Sequence, residues 1–347
     1  MTRNAVAIVS SILFVALAAL LVLVPVPYVA WRPGQTIDVL GNTDSGPIIA
    51  VTGLPTYDTP GQLLMTTVST TRHDSTLSLP EAMFVYFAEE SDAIPREVIY
   101  PPGLSSEQVQ SEAVAKMDQS RDNATVAALR AAGVAVSELP RVDSVVLSGP
   151  SGELLLPGDL ILAVDGEEMS RPEDVGEQVR SHAVGDAIVF TVLREGRETQ
   201  VTITAAASNA DPTIPVAGIT VTRGYRYSPR VTYGIDSNVT GPSAGLVFAL
   251  GVYDRITEQD LLADAVVAGT GTIDPDGRVG SIGAIREKIK GAERDGATVF
   301  LVPEGNCAGI GGLDTDLQLV KVATLREAIA AIQLINEGNS TEVATCG

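Results

Sequence analysis

The sequence predicts an α+β, multidomain chain with an N-terminal transmembrane helix, a small β-rich module and a C-terminal α/β domain. Three observations predict it. Residues 5–24, AVAIVSSILFVALAALLVLV, form one uncharged apolar run. Residues 133–206 read in the order strand, turn, strand, helix, hairpin. From about residue 208 onward, apolar helical and strand runs alternate around Gly-rich turns, as in an α/β domain.

The apolar run comes first. At 1.5 Å per residue, about 20 residues reach about 30 Å, the hydrocarbon thickness of a bilayer. A cleaved signal peptide has a shorter apolar region that ends in a small-x-small site. Here the run leads into Pro25-Val26-Pro27-Tyr28, and Ala16-Leu17-Ala18 lies in mid-stretch. An uncleaved anchor is expected, with residues 1–31 as cytoplasmic tip and membrane span. Arg3 and the free amino group orient it with the N-terminus cytoplasmic and the remainder of the chain extracytoplasmic. Both cysteines, Cys307 and Cys346, then lie on the oxidising side. A disulfide between them would close a loop of roughly 40 residues, worth about 3–4 kcal/mol in the chain-entropy model. It would pin the tail, residues 338–347; two unrelated thiols remain the alternative.

Composition narrows the chemistry. The 347 residues suit about two or three domains. With 23 Lys and Arg against 43 Asp and Glu, the net charge is −20, which argues against nucleic acid as a partner. An apolar share of 45 % excludes global disorder. Two Cys and two His leave no basis for a zinc site or an iron–sulfur cluster, so no metal and no cofactor are expected. They also disfavour His-based catalysis.

Residues 32–105 alternate short apolar runs with turn residues and are expected to form an N-terminal β-rich extracytoplasmic segment. Pro47-Ile48-Ile49-Ala50-Val51 and residues 63–68 read as strands. His73 sits in a polar turn and is expected to be solvated. Residues 106–131 read as a helical connector, with Ser105 as its cap.

The module at 132–207 contains Val145-Val146-Leu147 as a strand and residues 160–164 as another. Ser170-Arg171-Pro172-Glu173 caps a helix that buries Val175 and Val179. A hairpin follows around REGRE. This segment resembles a PDZ domain of the bacterial protease-associated kind, on LLPGDLILAVDG (155–166), the helix at 172–182 and the hairpin. The resemblance places a divergent carboxylate-binding loop at Gly133 and Val134. It implies that a peptide ligand adds as a strand between Val145, Val146, Leu147 and the helix bearing Val175 and Val179. His182, at the end of that helix, reads as structural.

The chemistry lies in residues 208–337. Gly241-Pro242-Ser243-Ala244-Gly245 precedes an apolar run, so Ser243 sits among small residues at a helix start. That setting suits a nucleophile, because the first helical N–H groups point toward a developing oxyanion. A simple capping role is the alternative. The two His lie in other segments, which leaves Lys as the base, since a desolvated ammonium readily loses its proton. Lys288 is the candidate: a helix from about Ala284 puts Ile285, Lys288 and Ile289 on one face. Lys290 reads as solvated.

These residues resemble the proteolytic domain of Lon-type serine proteases. The matching blocks, in family order, are GPSAG (241–245), ADAVVAGTGTIDPDGRVGSIGAIREK (263–288) and ATVFLVPEGN (297–306). The resemblance gives Ser243 the nucleophile's place and Lys288 the general base's. Thr270 takes the place of the threonine that bonds within the dyad. Gly241, Pro242 and Ala244 fall at the oxyanion and substrate-backbone positions. The chain departs from the family at Thr240, where an acidic residue is common, at Thr272 where Glu is common, and at Ala284 where Gly is.

No G-x-x-x-x-G-K-[ST] string occurs in the sequence. The whole therefore resembles bacterial membrane-anchored PDZ–Lon proteases that act without ATP. Unfolded or extended polypeptides are the expected substrates, and hexameric assembly is implied by analogy alone. A catalytically silent or latent membrane-tethered peptide-binding scaffold is the competing reading.

Overall fold

The computed structural model describes residues 3–44, 46–88 and 90–346. The amino group of Met1 and the side chain of Arg3, on which the orientation argument rests, lie outside the described residues. The apolar run forms one helix, Arg3–Leu23, with a mean hydropathy of 3.0 over Asn4–Leu23 and none of that stretch buried. It has the length and composition of a membrane anchor or a signal sequence.

The rest divides into two units, one formed by the chain up to Gly133 together with Pro229 onward, the other by Val134–Ser228. Among the described residues, the first unit is built on a six-stranded mixed sheet. Its strand order is Gln318–Val322, Val299–Pro303, Val266–Gly269, Gln62–Thr70, Tyr28–Asp38, Asp92–Pro95. The first four strands run parallel and the last two pair antiparallel. Period-2 geometry sorts their side chains onto two faces. Leu63, Met65, Val267, Val299, Leu301 and Val320 pack with Phe248 and Leu250 of the helix Gly245–Ile256. Leu64, Ala268, Phe300 and Val302 pack with Ile285, Ile289 and Ala292 of the helix Ile285–Arg294. Covering both faces is why VFLVP is buried at all five positions.

Three linear boundaries change in the structure. Residues 32–105 are not a separate segment, because Gln62–Thr70 pairs in register with Val266–Gly269 and supplies the centre of the sheet. Residues 106–131 are not a connector: the helix Ser106–Ala131 buries Met117, Ala124, Ala127 and Ala128 in the same core as Phe248. Its cap is Ser105, with Gln108 as the reciprocal partner. Residues 208–228 belong with the β-rich module, since Ile219–Arg226 pairs along Ser137–Val145. Such long-range pairings leave no trace in local periodicity.

The second unit is an antiparallel sheet with the order Arg197–Thr204, Ala187–Arg194, Leu160–Val164, Ser137–Val145, Ile219–Arg226. The predicted hairpin closes with Arg194 opposite Arg197. The helix Pro172–Arg180 buries Val175 and Val179 against this sheet. The strand expected at 145–147 ends at Val145; Val146 and Leu147 lie beyond it, 57 % and 79 % exposed.

The tail is ordered by the first unit's edge strand. Lys321 N–H donates to the Ala344 carbonyl at 2.8 Å, Val320 bridges Thr345, and Val343 is buried. Cys346 is joined to Cys307 by a disulfide, with their Cα atoms 5.1 Å apart. Cys346→Ser should lower the melting temperature by on the order of 10 °C, the equivalent of about 3–4 kcal/mol for a unit of this size. Thermal denaturation with and without reductant checks this; an unchanged midpoint would show that the tail's hydrogen bonds hold it unaided.

Candidate active site

Ser243 lies in a short 3-10 turn, Pro242–Ala244, that runs directly into the helix Gly245–Ile256. Gly241 opens the turn at φ +93°, a left-handed conformation that side chains disfavour, with open space where a Cβ would stand. The long helix anchors this turn from behind. Gly241 N–H donates to the Ala113 carbonyl at 3.1 Å, and Ser120 Oγ donates to the Pro242 carbonyl at 3.0 Å.

Thr270 follows the strand Val266–Gly269 and is 1 % exposed. Its hydroxyl donates to the Ser243 carbonyl at 3.0 Å, and Gly271 N–H donates to the same oxygen at 2.8 Å. The serine backbone is thereby clamped to the sheet.

Lys288 stands one turn into the helix Ile285–Arg294 and is 3 % exposed. Its Nζ lies 2.8 Å from Ser243 Oγ and 2.9 Å from Thr270 Oγ1. Both partners are neutral hydroxyls, so nothing offsets the loss of water around a charged ammonium, and burial lowers its pKa to about 7. Ser243, Thr270 and Lys288 are thus brought together. Lys290 is half-buried rather than solvated: it pairs with Glu293 at 2.9 Å and donates to the Asp314 carbonyl.

Ala284 caps the lysine helix at φ +56°, left-handed for a residue with a Cβ, at the position where the resembling family carries Gly. Asn306 holds the loop before it, accepting from Ile282 N–H at 2.9 Å and donating to the Ile282 carbonyl at 2.8 Å. Sequence reasoning passed over Asn306, Ser120 and Ala113; the asparagine's place at the end of a matching block was the available signal. Glu287, next to Lys288, was also passed over. It is buried, and burial together with nearby Asp92 pushes its carboxyl up to about 7.

The two histidines take no part. The His73 ring packs edge-on against Tyr100, and His182 pairs with Asp165 at 3.0 Å and contacts the Gln178 carbonyl within the second unit.

Residues 237–333 match the Lon protease (S16) C-terminal proteolytic domain, and residues 116–205 match the PDZ domain. The chain carries a Lon-type proteolytic domain and a PDZ domain. The first belongs to a serine peptidase family. The chain is similar to Lon protease 2 of Herpetosiphon aurantiacus, 47 % identical over 66 residues, which are 19 % of this chain and 8 % of that protein. It is also similar to Lon protease 2 of Bacillus subtilis, 34 % identical over 98 residues, 28 % of this chain and 17 % of that protein. The chain therefore spans less than a fifth of the length of these relatives. The PDZ domain of an SdrC-like protein from Listeria monocytogenes is 26 % identical and covers 24 % of this chain and 86 % of its own, with a TM-score of 0.22.

A PDZ domain implies peptide ligands. The strand Ile219–Arg226 pairs along the edge of Ser137–Val145. A groove of about 840 Å³ lies between the helix Pro172–Arg180 and residues 206–221. Val146, Val175 and Val179 line it; Gly133, Val134, Val145 and Leu147 do not.

The Lys288 site has a consequence for stability. Its folded pKa of about 7 lies below the ordinary 10.5. Between those values the unfolded chain binds a proton that the folded chain does not, so stability rises with pH across that window. In Lys288→Met this contribution disappears. Chemical denaturation should find the variant's stability advantage over wild type largest at or below pH 7 and shrinking toward pH 10; a difference independent of pH would contradict it.

Proposed function

We propose that this chain is a membrane-anchored serine endopeptidase with a Ser243–Lys288 dyad, acting outside the cytoplasm and without ATP. The observation that carries it is the 2.8 Å approach of a desolvated Lys288 Nζ to Ser243 Oγ. The apolar helix Arg3–Leu23 supports the anchor, and the lack of a phosphate-loop string in the sequence supports the nucleotide independence.

The neutral amine of Lys288 accepts the Ser243 hydroxyl proton as Oγ attacks the scissile carbonyl. Thr270, its own proton committed to the Ser243 carbonyl, offers a lone pair to Lys288 and fixes the amine's orientation. Leu246 N–H is spent on the Gly271 carbonyl and Gly245 N–H on Pro242. The N–H groups of Ser243 and Ala244 are therefore the oxyanion donors, with Gly241 and Pro242 flanking the substrate backbone. The Lys288 ammonium then protonates the departing amine. Water, losing a proton to Lys288, attacks the acyl carbonyl; the Lys288 ammonium returns that proton to the departing Ser243 Oγ, releasing the carboxylic acid product and restoring the neutral dyad. Unfolded or extended polypeptides are the substrates, and the PDZ groove beside Val175 and Val179 binds and positions them as an added strand.

With the full chain in detergent and casein as substrate, Ser243→Ala and Lys288→Met should each lower turnover by on the order of 10³-fold or more. Wild-type turnover in either would overturn the dyad, and a wild-type chain that neither cleaves casein nor labels at Ser243 with a fluorophosphonate would favour the silent scaffold. Separately, Val179→Asp should weaken binding of an unstructured peptide at least tenfold, read by fluorescence anisotropy, while leaving Ser243 labelling intact. Unaltered peptide binding would remove the groove from the proposal.

A further inference from the structure

The helix Leu79–Phe87, LPEAMFVYF, is apolar nearly all round, a composition that normally implies burial on every side. Only one side is covered. Ala82 and Val85 pack with Ala30 and Leu77. Phe84, Tyr86 and Phe87 are 75 %, 69 % and 74 % exposed, and Met83 stands out beside them. Three neighbouring aromatic rings facing away from a domain need a covering.

The chain path indicates what covers them. The apolar helix ends at Leu23, and Pro25–Val26 pairs antiparallel with Leu77–Ser78. The aromatic helix starts at the next residue, Leu79, and packs against the apolar helix itself. Its first turn thus lies about one strand spacing, roughly 4.8 Å, from the end of the span. Tyr28, also exposed, sits just past the same end. Aromatic side chains at that depth match the enrichment of Trp and Tyr at the membrane–water boundary. The polar start of the helix is satisfied locally, since Ser78 N–H and Oγ both donate to Glu81 at 2.8 Å.

We infer that the helix Leu79–Phe87 lies in the interfacial layer of a bilayer, with Phe84, Tyr86 and Phe87 inserted beside the emerging span. This rests on reading Arg3–Leu23 as a membrane anchor. The contact is apolar in origin: a chain of net charge −20 gains nothing from anionic headgroups, so neutral phosphatidylcholine suffices. The surface that follows the anchor is thereby held to the membrane at a second point, which restricts how that unit can tilt.

Depth-resolved quenching tests it. The full chain carries one fluorophore at Phe87→Cys, Phe14→Cys or Arg326→Cys, the last beside the edge strand at the opposite side of the sheet. Each is reconstituted in phosphatidylcholine vesicles containing nitroxide lipids; Phe84→Cys repeats the measurement should Phe87→Cys fail to fold. The label at 87 should be quenched best by shallow nitroxides, the label at 14 best by deep ones, and the label at 326 by neither. A label at 87 no more quenched than at 326, with 14 quenched, overturns the interfacial helix and leaves the anchor standing. An unquenched label at 14 overturns both. A label at 87 shielded from aqueous quencher yet untouched by nitroxide lipids marks a second copy of the chain on this face, and also overturns it.

Discussion

A lysine buried against two hydroxyls is the constraint on which the rest of this structure depends. An ammonium deprived of water, with no carboxylate among the described residues hydrogen-bonded to it, favours its neutral form; burial holds the Lys288 pKa at about 7, and its contacts with Ser243 and Thr270 fix where the amine stands. The condition is met only where three elements converge without admitting solvent: the strand that delivers Thr270, the turn that delivers Ser243, and the helix that delivers Lys288. The cost of burying the amine is borne by the packing of a sheet covered on both faces.

That requirement explains why distant parts of the chain are recruited. Thr66 Oγ1, from Gln62–Thr70, donates to the Gly269 carbonyl at 3.2 Å, immediately before Thr270. A Cβ on Gly283 would stand 2.9 Å from the Trp31 ring, so the strand that follows the apolar helix touches the loop that introduces Lys288. The helix Ser106–Ala131 holds the Ser243 turn through Ala113 and Ser120. Trp31, Thr66, Ala113 and Ser120 therefore help to build the unit that carries Ser243 and Lys288.

The convergence of Ser243, Thr270 and Lys288 was legible in the sequence because these residues lie in short, ordered blocks. GPSAG, the Gly-rich run ending at Lys288, and the scarcity of histidine together single out Ser243 and Lys288. The apolar helix was equally plain, since twenty uncharged residues need no partner to be recognised. What escaped was decided by pairing across long separations. Nothing local in residues 62–70 announces a central parallel strand, and nothing in 219–226 announces pairing along Ser137–Val145. Val175 and Val179, set by helical period alone, do line the cavity beside residues 206–221. Ala284 shows the converse case, a departure from the resembling family tolerated at a left-handed backbone position.

The central claim is that Lys288 is neutral near physiological pH. The sequence contains four lysines, so 13Cε-lysine labelling of the detergent-solubilised chain yields four NMR signals to follow with pH. The signal lost in Lys288→Met is predicted to titrate at about 7. Titration of that signal above pH 9, in the ordinary lysine range, would contradict the account.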